Sequence, residues 1–187
     1  MRNTLRRIAF GVLSTGMIAT MAIGASAGAA SAAVSVPRAA AVAELPPPAL
    51  IWPVVRKGDH GLRVVKVQLL LIQHGIPVKV DGKFGRMTEL GVKIFQKKHR
   101  IRPSGIVGAR TWEKLIVFLR KGSRGPAVTA VQIELKFMYG FKYLTVDGVY
   151  GHMTEKAVRS FQKRYHLLPD GKVGPSTWHA LVWYDRK

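Results

Sequence analysis

Apolar residues recur along this chain at the spacing of short amphipathic helices. The first such stretch has apolar residues at three- and four-residue steps: Leu62, Val65, Leu69 and Ile72. This spacing places all four on one face of a helix, which we expect over about residues 62–74. Gly75 follows as a natural helix stop. A corresponding helix is expected to begin with Pro126, whose fixed φ suits a first turn, and to close at Gly140.

One segment of the chain is duplicated. Residues 81–97 read DGKFGRMTELGVKIFQK and residues 147–163 read DGVYGHMTEKAVRSFQK, with ten of the seventeen positions identical. Such a duplication decides how the whole fold is interpreted. In each copy Asp-Gly predicts a turn, because glycine accepts positive φ and aspartate bonds its own backbone. A second helix should then start near Thr88 or Thr154, where the threonine hydroxyl can cap free amides.

Each copy also predicts a third helix after a second glycine turn. Thr111, Trp112 and Leu115 mark it in the first copy, and Thr177, Trp178 and Leu181 mark it in the second. We expect the first of these helices to run through Leu119 directly into the second copy. Because no strand-like alternation of useful length appears, the predicted class is all-α. The prediction is two tandem three-helix bundles, over residues 54–119 and 120–187.

The beginning of the chain is predicted to be a signal peptide over residues 1–32. Arg2, Arg6 and Arg7 precede an apolar run over residues 8–24, and Ala30-Ser31-Ala32 fits the A-x-A cleavage pattern. A retained transmembrane anchor is the weaker alternative, because the run is short and diluted by small polar residues. Residues 33–53 are rich in Ala and Pro, which predicts a disordered, extended linker.

The chain is strongly basic and lacks cysteine. Its formal net charge is +20, and removal of the signal would leave 27 basic against 10 acidic residues, or +17. No disulfide can stabilise the small bundles, so packing must do so. The charge favours association with a polyanion, such as a cell-wall polymer, an acidic membrane surface or nucleic acid. We expect no nucleic-acid partner, since no supporting motif is present.

The ordered series of motifs resembles the peptidoglycan-binding domain of bacterial cell-wall enzymes. The series is G-x-x-V-x-x-V-Q, then D-G-x-x-G-x-x-T-x-x-x-V-x-x-F-Q, then G-x-V-G-x-x-T-W-x-x-L, and it occurs over residues 61–115 and again over 125–181. Two positions of the first copy depart from the pattern: Ser104 stands where the second copy has Asp170, and Gly91 where it has Ala157. The resemblance implies a three-helix fold that binds peptidoglycan without cutting it, usually attached to a hydrolase, carboxypeptidase or transpeptidase.

Catalysis by this chain is not expected. We expect the residues outside the repeats to be too few for a catalytic domain of the kind to which this module is usually attached. Two carboxylates can cleave a glycan, and Asp81 with Glu89, like Asp147 with Glu155, forms a duplicated pair. A turn and a helix N-terminus nevertheless suffice to explain these acids. The six histidines form no H-x-x-x-H or H-E-x-x-H pair, so neither a metal nor another cofactor is predicted.

A peptidoglycan site needs cations and amide donors for carboxylates, and an aromatic face for sugars. Around the repeated loops the chain offers these candidates: Asp81, Lys83, Phe84, Gly85, Arg86 and Arg110 in the first copy, and Arg124, Asp147, Tyr150, Gly151 and His152 in the second. Gly85 and Gly151 are expected to let backbone amides approach a ligand, although turn geometry alone would explain them. Trp112 and Trp178 could serve as platforms, but a Trp at helical spacing from a Leu is more often core.

Three hypotheses follow from the sequence. The favoured one is a secreted, monomeric, non-catalytic protein that binds cell-wall peptidoglycan, and also anionic wall polymers, through both modules. A small peptidoglycan hydrolase using the acid pairs is the second hypothesis. A general polyanion binder acting through charge alone is the third. No membrane association is expected once the signal is removed.

Overall fold

The computed structural model describes residues 50–183, which form six helices. They are α1 (Leu62–Gln73), α2 (Arg86–Lys98), α3 (Ala109–Leu115), α4 (Pro126–Phe137), α5 (His152–Arg164) and α6 (Pro175–Trp183). The described part of the chain contains no strand longer than an isolated bridge, so the all-α prediction is confirmed. The predicted signal peptide, and the predicted linker up to residue 49, lie outside the described residues.

Each repeat begins with an extended leading segment that pairs with the turn before its own third helix. Val55 pairs with Val107 in the first repeat, and Leu119 pairs with Val173 in the second. Together with the helices, these bridges close each repeat, and the buried apolar residues of both repeats form one cluster. The prediction that α3 runs through Leu119 is therefore wrong: α3 ends at Leu115. Residues 116–119 instead form the leading segment of the second repeat, because Leu119 exchanges both backbone hydrogen bonds with Val173.

Two buried tryptophans hold these leading segments. The indole N–H of Trp112 donates to the carbonyl of Pro53 at 2.8 Å, and that of Trp178 donates to the carbonyl of Val117 at 2.7 Å. Both tryptophans are fully buried, which confirms the core interpretation over the platform alternative. A buried indole satisfies its N–H with a nearby acceptor, and here the acceptor is the chain that enters the repeat.

The last residues of the predicted linker belong to the first repeat. Trp52 is only 6% exposed and stacks on Trp112, with ring centroids 5.7 Å apart. Pro53 supplies the carbonyl that Trp112 binds. The first repeat thus starts near Trp52, because this ring is buried against Trp112.

The two repeats pack directly against each other through α1 and α4. At the centre of this contact Lys66 Nζ lies 2.7 Å from Glu134 Oε2, and the two side chains are 2% and 1% exposed. Lys66 also donates to the carbonyl of Leu181 at 3.0 Å. The equivalent positions hold Leu70 and Ala130, which are buried as well. The described residues accordingly form one compact unit built from two bundles.

None of the helices within residues 50–183 has the length and apolar character that crossing a membrane requires. The longest of them, α2 and α5, have 13 residues each. The helices position a set of glycine turns.

Candidate functional site

Four buried glutamines hold four glycine turns in the same way. They are Gln68, Gln96, Gln132 and Gln162. Each Oε1 accepts the N–H of a turn glycine, in order Gly82, Gly105, Gly148 and Gly171, at 2.8–3.0 Å. Each Nε2 lies within 3.3 Å of three acceptors, namely the side chain that opens the turn, a backbone carbonyl and a threonine hydroxyl. Each bundle therefore contains two glutamine-held turns.

The threonines of these turns do not cap helices, as the sequence had suggested for Thr88 and Thr154. Helices α2 and α5 begin two residues earlier, after Gly85 and Gly151, and neither start has a side-chain cap. Both threonines are buried, and their hydroxyls lie 3.1 and 3.2 Å from the glutamine Nε2 atoms. The cap prediction is wrong because a buried amide group needs acceptors, and the threonines supply them.

Asp81 and Asp147 open the two repeated loops, residues 81–85 and 147–151. Asp81 Oδ1 accepts the Lys83 N–H at 2.9 Å and the Gln68 amide at 3.0 Å, and Asp147 has the same pair of bonds. These bonds, first the backbone one and then that of the glutamine, lower the pKa of both carboxyls. Both side chains stay exposed, so each presents an ionised carboxylate with one oxygen committed to its own turn.

The two rings proposed to face a ligand lie in the core. Phe84 is 2% exposed and Tyr150 is fully buried. The Tyr150 hydroxyl donates to the carbonyl of Gly171 at 2.8 Å, and burial, followed by the charges of Glu155 and Asp170, raises its pKa. These rings have no surface to offer a sugar, so we correct their assignment: they anchor the loops to the bundle.

The second glycines of the loops also have a structural role. The N–H groups of Gly85 and Gly151 donate at 2.9 Å to carbonyls two residues earlier, so these amides are already engaged within the turns. Their assignment as ligand-facing amides is corrected accordingly. Gly82 and Gly148 are the residues that need glycine, with φ of +67° and +69°. A Cβ at Gly82 would also lie 3.3 Å from the Val65 side chain.

The proposed cations are all exposed but do not all gather at the loops. They are Lys83, Arg86, Arg110, Arg124 and His152. Lys83 lies in the first loop, and its backbone pairs with His60; Arg124 pairs with Val149 of the second loop. Arg86 and His152 begin the helices that follow the loops. Arg110 instead lies in the first turn of α3, next to the second glycine turn of its repeat. Lys83, Arg86, Arg124 and His152 thus surround the loops.

The acidic partners of the candidate catalytic pairs are bound to bases. Glu89 Oε1 lies 2.6 Å from Lys93 Nζ, and Lys57 Nζ lies 3.7 Å from its other oxygen. Glu155 Oε1 lies 2.9 Å from an Arg159 guanidinium nitrogen. The hydrogen bond from Lys93 or Arg159 is the main cause that lowers the pKa of each glutamate. Neither glutamate is therefore held protonated near neutral pH.

Two of the concave surfaces on the described residues are considered for a ligand. The larger, of about 770 Å³, is lined by Val54, Val55, Arg56, Gly58, Asp59, His60, Gly61, Leu62, Arg63, Val64 and Met138. We call it the leading-segment cleft. The smaller, of about 490 Å³, follows one side of α5 and is lined by His152, Glu155, Lys156, Arg159, Ser160 and Lys163. Within residues 50–183, no three His, Asp or Glu side chains are grouped as metal ligands.

The sequence did reveal the glutamines, but it did not reveal their role. Gln68 matches Gln132, and Gln96 matches Gln162, each on an otherwise apolar helix face. A polar residue kept in both copies at a buried position must have hydrogen-bond partners inside the fold. This rule could have identified the role of the glutamines, because the duplicated Asp-Gly turns offer the hydrogen-bond partners that their side-chain amides need.

Comparison with known proteins agrees with the division of the chain into two repeats. The family model described as "Putative peptidoglycan binding domain" matches residues 60–115 and 124–181. A probable N-acetylmuramoyl-L-alanine amidase of Bacillus licheniformis is 31% identical over 152 residues, covering 66% of this chain and 43% of the amidase. The N-acetylmuramoyl-L-alanine amidase CwlM of Mycobacterium tuberculosis is 32% identical over 152 residues, covering 69% of this chain and 37% of the relative.

Among solved structures, the SleB N-terminal domain is 37% identical, with a TM-score of 0.34, over 36% of this chain and 90% of that domain. The chain spans less than half the length of the two amidases. The family match covers both repeats, from the leading turn of each to its third helix. The chain belongs to the peptidoglycan-binding domain family and carries two copies of the domain in tandem.

Proposed function

We propose that this protein binds bacterial peptidoglycan through its two modules and leaves the polymer intact. The observation that carries the proposal is the family match, which falls on both repeats and includes both loops and all four glutamine-held turns. Two sites of weak affinity that are joined in one compact unit gain avidity for a repeating polymer without any new contact.

The basic side chains around the loops are the proposed ligand contacts. Lys83 and Arg86 in the first repeat, and Arg124 and His152 in the second, are exposed and adjacent to a loop. Peptidoglycan stem peptides carry carboxylates, which such side chains can bind through charge-assisted hydrogen bonds. The loops hold these side chains in place because each loop is fixed from beneath by a glutamine and a buried ring.

The state of the carboxyls supports a role without bond cleavage. Glycan hydrolysis by paired acids needs one carboxyl that keeps its proton at the working pH. The pKa values of Asp81, Glu89, Asp147 and Glu155 are all lowered by hydrogen bonds within the fold. None of the four is arranged as a general acid.

The proposed location is outside the cell, in contact with the wall. Support comes from the family and from the amidase relatives, whose names refer to a cell-wall bond. The signal peptide predicted over residues 1–32 would provide the export route. Once exported, the basic surface would also favour the anionic polymers of the wall.

Co-sedimentation with purified sacculi tests this proposal. We expect the protein to pellet with sacculi, both with and without teichoic acid, and binding to fall only in part as salt is raised. Binding to heparin or DNA should be weaker and should be lost at high salt, because it rests on charge alone. Equal binding to heparin would instead support a general polyanion binder.

A muropeptide-release assay separates binding from hydrolysis. We expect no release above the background of heat-treated protein. Release that Asp147→Asn abolishes would contradict the proposal and support the hydrolase hypothesis.

A further inference from the structure

The leading-segment cleft combines a concave shape with a cationic rim. Its volume of about 770 Å³ lies within the 300–1,000 Å³ range of small-ligand sites. It lies between the leading segment of the first repeat, the start of α1, and Met138 at the end of α4. Both repeats thus contribute to its wall. The wall contains no residue of the duplicated loops, but its turn over residues 58–61 is hydrogen-bonded to the first loop at Gly82 and Phe84.

Three basic side chains and several apolar ones line the cleft. Arg56 and His60 are exposed, and Arg63 is half-buried. Arg63 Nε donates to the carbonyl of Val182 at 3.2 Å, which fixes this side chain on the wall. Val54, 57% exposed, and Leu62 supply apolar surface. This combination fits a short peptide that carries carboxylates and small apolar side chains.

One acidic side chain lines the cleft, and it does not cancel the preference for a ligand that carries carboxylates. Asp59 is the one carboxylate among the lining residues. Its Oδ2 accepts the backbone N–H of Arg56 at 2.9 Å, so that oxygen is used to close the turn. The other two charged side chains of the cleft, Arg56 and Arg63, are both cations.

The second repeat does not reproduce this set of side chains. Ala127, which is fully buried, stands at the position equivalent to Arg63, and His74 stands at the position equivalent to Met138. Arg120 is the equivalent of Arg56 and provides a matched control position. The difference makes the cleft a property of this chain rather than of each module.

We propose that the leading-segment cleft binds the carboxylate-bearing stem peptide of peptidoglycan, an inference that rests on the function proposed above. Arg56, His60 and Arg63 bind the carboxylates, while Val54, Leu62 and Met138 contact the small apolar side chains. The loops then make separate contacts with the polymer, and the cleft selects for the peptide.

The methionine methyl groups test this assignment. The described residues contain three methionines: Met138 in the cleft, and Met87 and Met153 next to the loops. The purified protein, labelled with ¹³C at the methionine methyls, is titrated with a soluble disaccharide tetrapeptide and with the same compound amidated at its carboxylates. Met138→Leu assigns the cleft signal. We expect the Met138 signal to shift with the free-acid ligand, and to need a much higher concentration of the amidated one.

Charge reversal in the two repeats provides the matched comparison. Arg56→Glu should weaken binding of the free-acid ligand by about tenfold or more, since it replaces a charge-assisted contact with repulsion. Arg120→Glu should change it within about twofold, as expected for a surface charge away from the site. Thermal unfolding of both variants checks that the fold is kept.

Each outcome decides the inference. A ligand that shifts Met87 or Met153 but leaves Met138 unchanged would overturn the cleft assignment while supporting binding at the loops. Equal losses from Arg56→Glu and Arg120→Glu would also overturn it. A protein that pellets with sacculi but shows no Met138 shift refutes the cleft alone, whereas one that neither pellets nor shifts refutes the proposed function as well.

Discussion

In the first repeat, Phe95 is packed between His74 and His99, with ring centroids 4.9 and 4.2 Å away. In the second repeat, the equivalent Phe161 is packed between Tyr139 and Tyr165, both with centroids 4.7 Å away. The glutamine-held turns are the same in both repeats. The fold thus fixes the turns, while the side chains around the central phenylalanine differ: imidazoles in the first repeat and phenols in the second.

A second difference lies inside one of the turns. Gln162 Nε2 donates to the carboxylate of Asp170 at 2.9 Å, whereas Gln96 Nε2 lies 3.3 Å from the hydroxyl of Ser104. A hydrogen bond to a charged acceptor is the stronger of the two. The comparison indicates that the turns of the first repeat are the less tightly held. Five predictions, from the largest expected effect to the smallest, concern the contact between the repeats and the differences between them.

The contact between the repeats should give the largest effect. Lys66→Met leaves Glu134 buried without its lysine and should lower the free energy of unfolding by ~3–5 kcal/mol. Urea unfolding measures this loss. The control is Lys66→Met combined with Glu134→Leu, which should recover most of the stability because Leu70 already occupies the equivalent position. A loss below ~1 kcal/mol in the single variant would show that the pair behaves like a surface salt bridge.

The glutamines should give the next largest effect, and it should differ between repeats. Gln96→Leu and Gln162→Leu each leave a buried glycine N–H without its acceptor and remove the amide donor from a threonine hydroxyl and a backbone carbonyl, at a cost of ~1–3 kcal/mol per group left unpaired. Gln162→Leu should cost more, since it also loses the bond to Asp170. Equal or reversed losses in urea unfolding would contradict the comparison.

Ser104→Asp should bring the first repeat closer to the second. The new carboxylate would accept both the Gln96 amide and the Ile106 N–H that Ser104 now accepts, and stability at pH 7 should rise by ~1 kcal/mol. Asp170→Ser should lose a similar amount. Urea unfolding of the two variants beside the unchanged protein measures both effects.

The effect of Asp170 should depend on pH in a defined direction. Burial alone would raise the pKa of Asp170, but hydrogen bonds from the Lys172 N–H and from Gln162 outweigh it and lower the pKa below 3.8. Its contribution is therefore present above pH 3.8 and is lost as the pH falls through the lower value in the folded state. A difference between Asp170→Ser and the unchanged protein that persists at lower pH would contradict this.

His99→Tyr should have the smallest effect, visible only as a change in pH dependence. Burial, followed by repulsion from His74, Lys98 and Lys114, lowers the pKa of His99 below 6.5. The unfolded chain then binds the proton more readily, so stability falls as the pH drops below 6.5. The variant should lose less stability than the unchanged protein between about pH 7.5 and pH 5.5. The control variant Tyr165→His should lose more stability than the unchanged protein over the same pH range. Identical pH profiles of stability for His99→Tyr and the unchanged protein would refute the role of His99.

Much of the fold followed from the sequence because it rests on local signals. The period of Leu62, Val65 and Leu69 gave α1, and Pro126 gave the first residue of α4. The end of α3 could not be predicted in this way. It depends on Leu119 pairing with Val173, more than fifty residues away along the chain, and helical periodicity carries no information about such a partner.

The candidate site was harder to predict because burial is not visible in a motif. Phe84 and Tyr150 stand beside cations in the sequence, which suggested a sugar platform, yet both rings point into the bundle. Lys83 and Arg124 were placed correctly near the loops, since chain neighbours and the shared leading turn bring them there. The cleft was not foreseen, because Met138 reaches it from the other repeat.

The central claim is that the two modules bind murein without breaking it, and one measurement tests both halves. The protein is incubated with purified sacculi, and the bound fraction and the soluble muropeptides are measured in the same sample over time. The account predicts a stable bound fraction with muropeptides at background. Protein left wholly in the supernatant, or muropeptides that accumulate in proportion to the protein added, would contradict it.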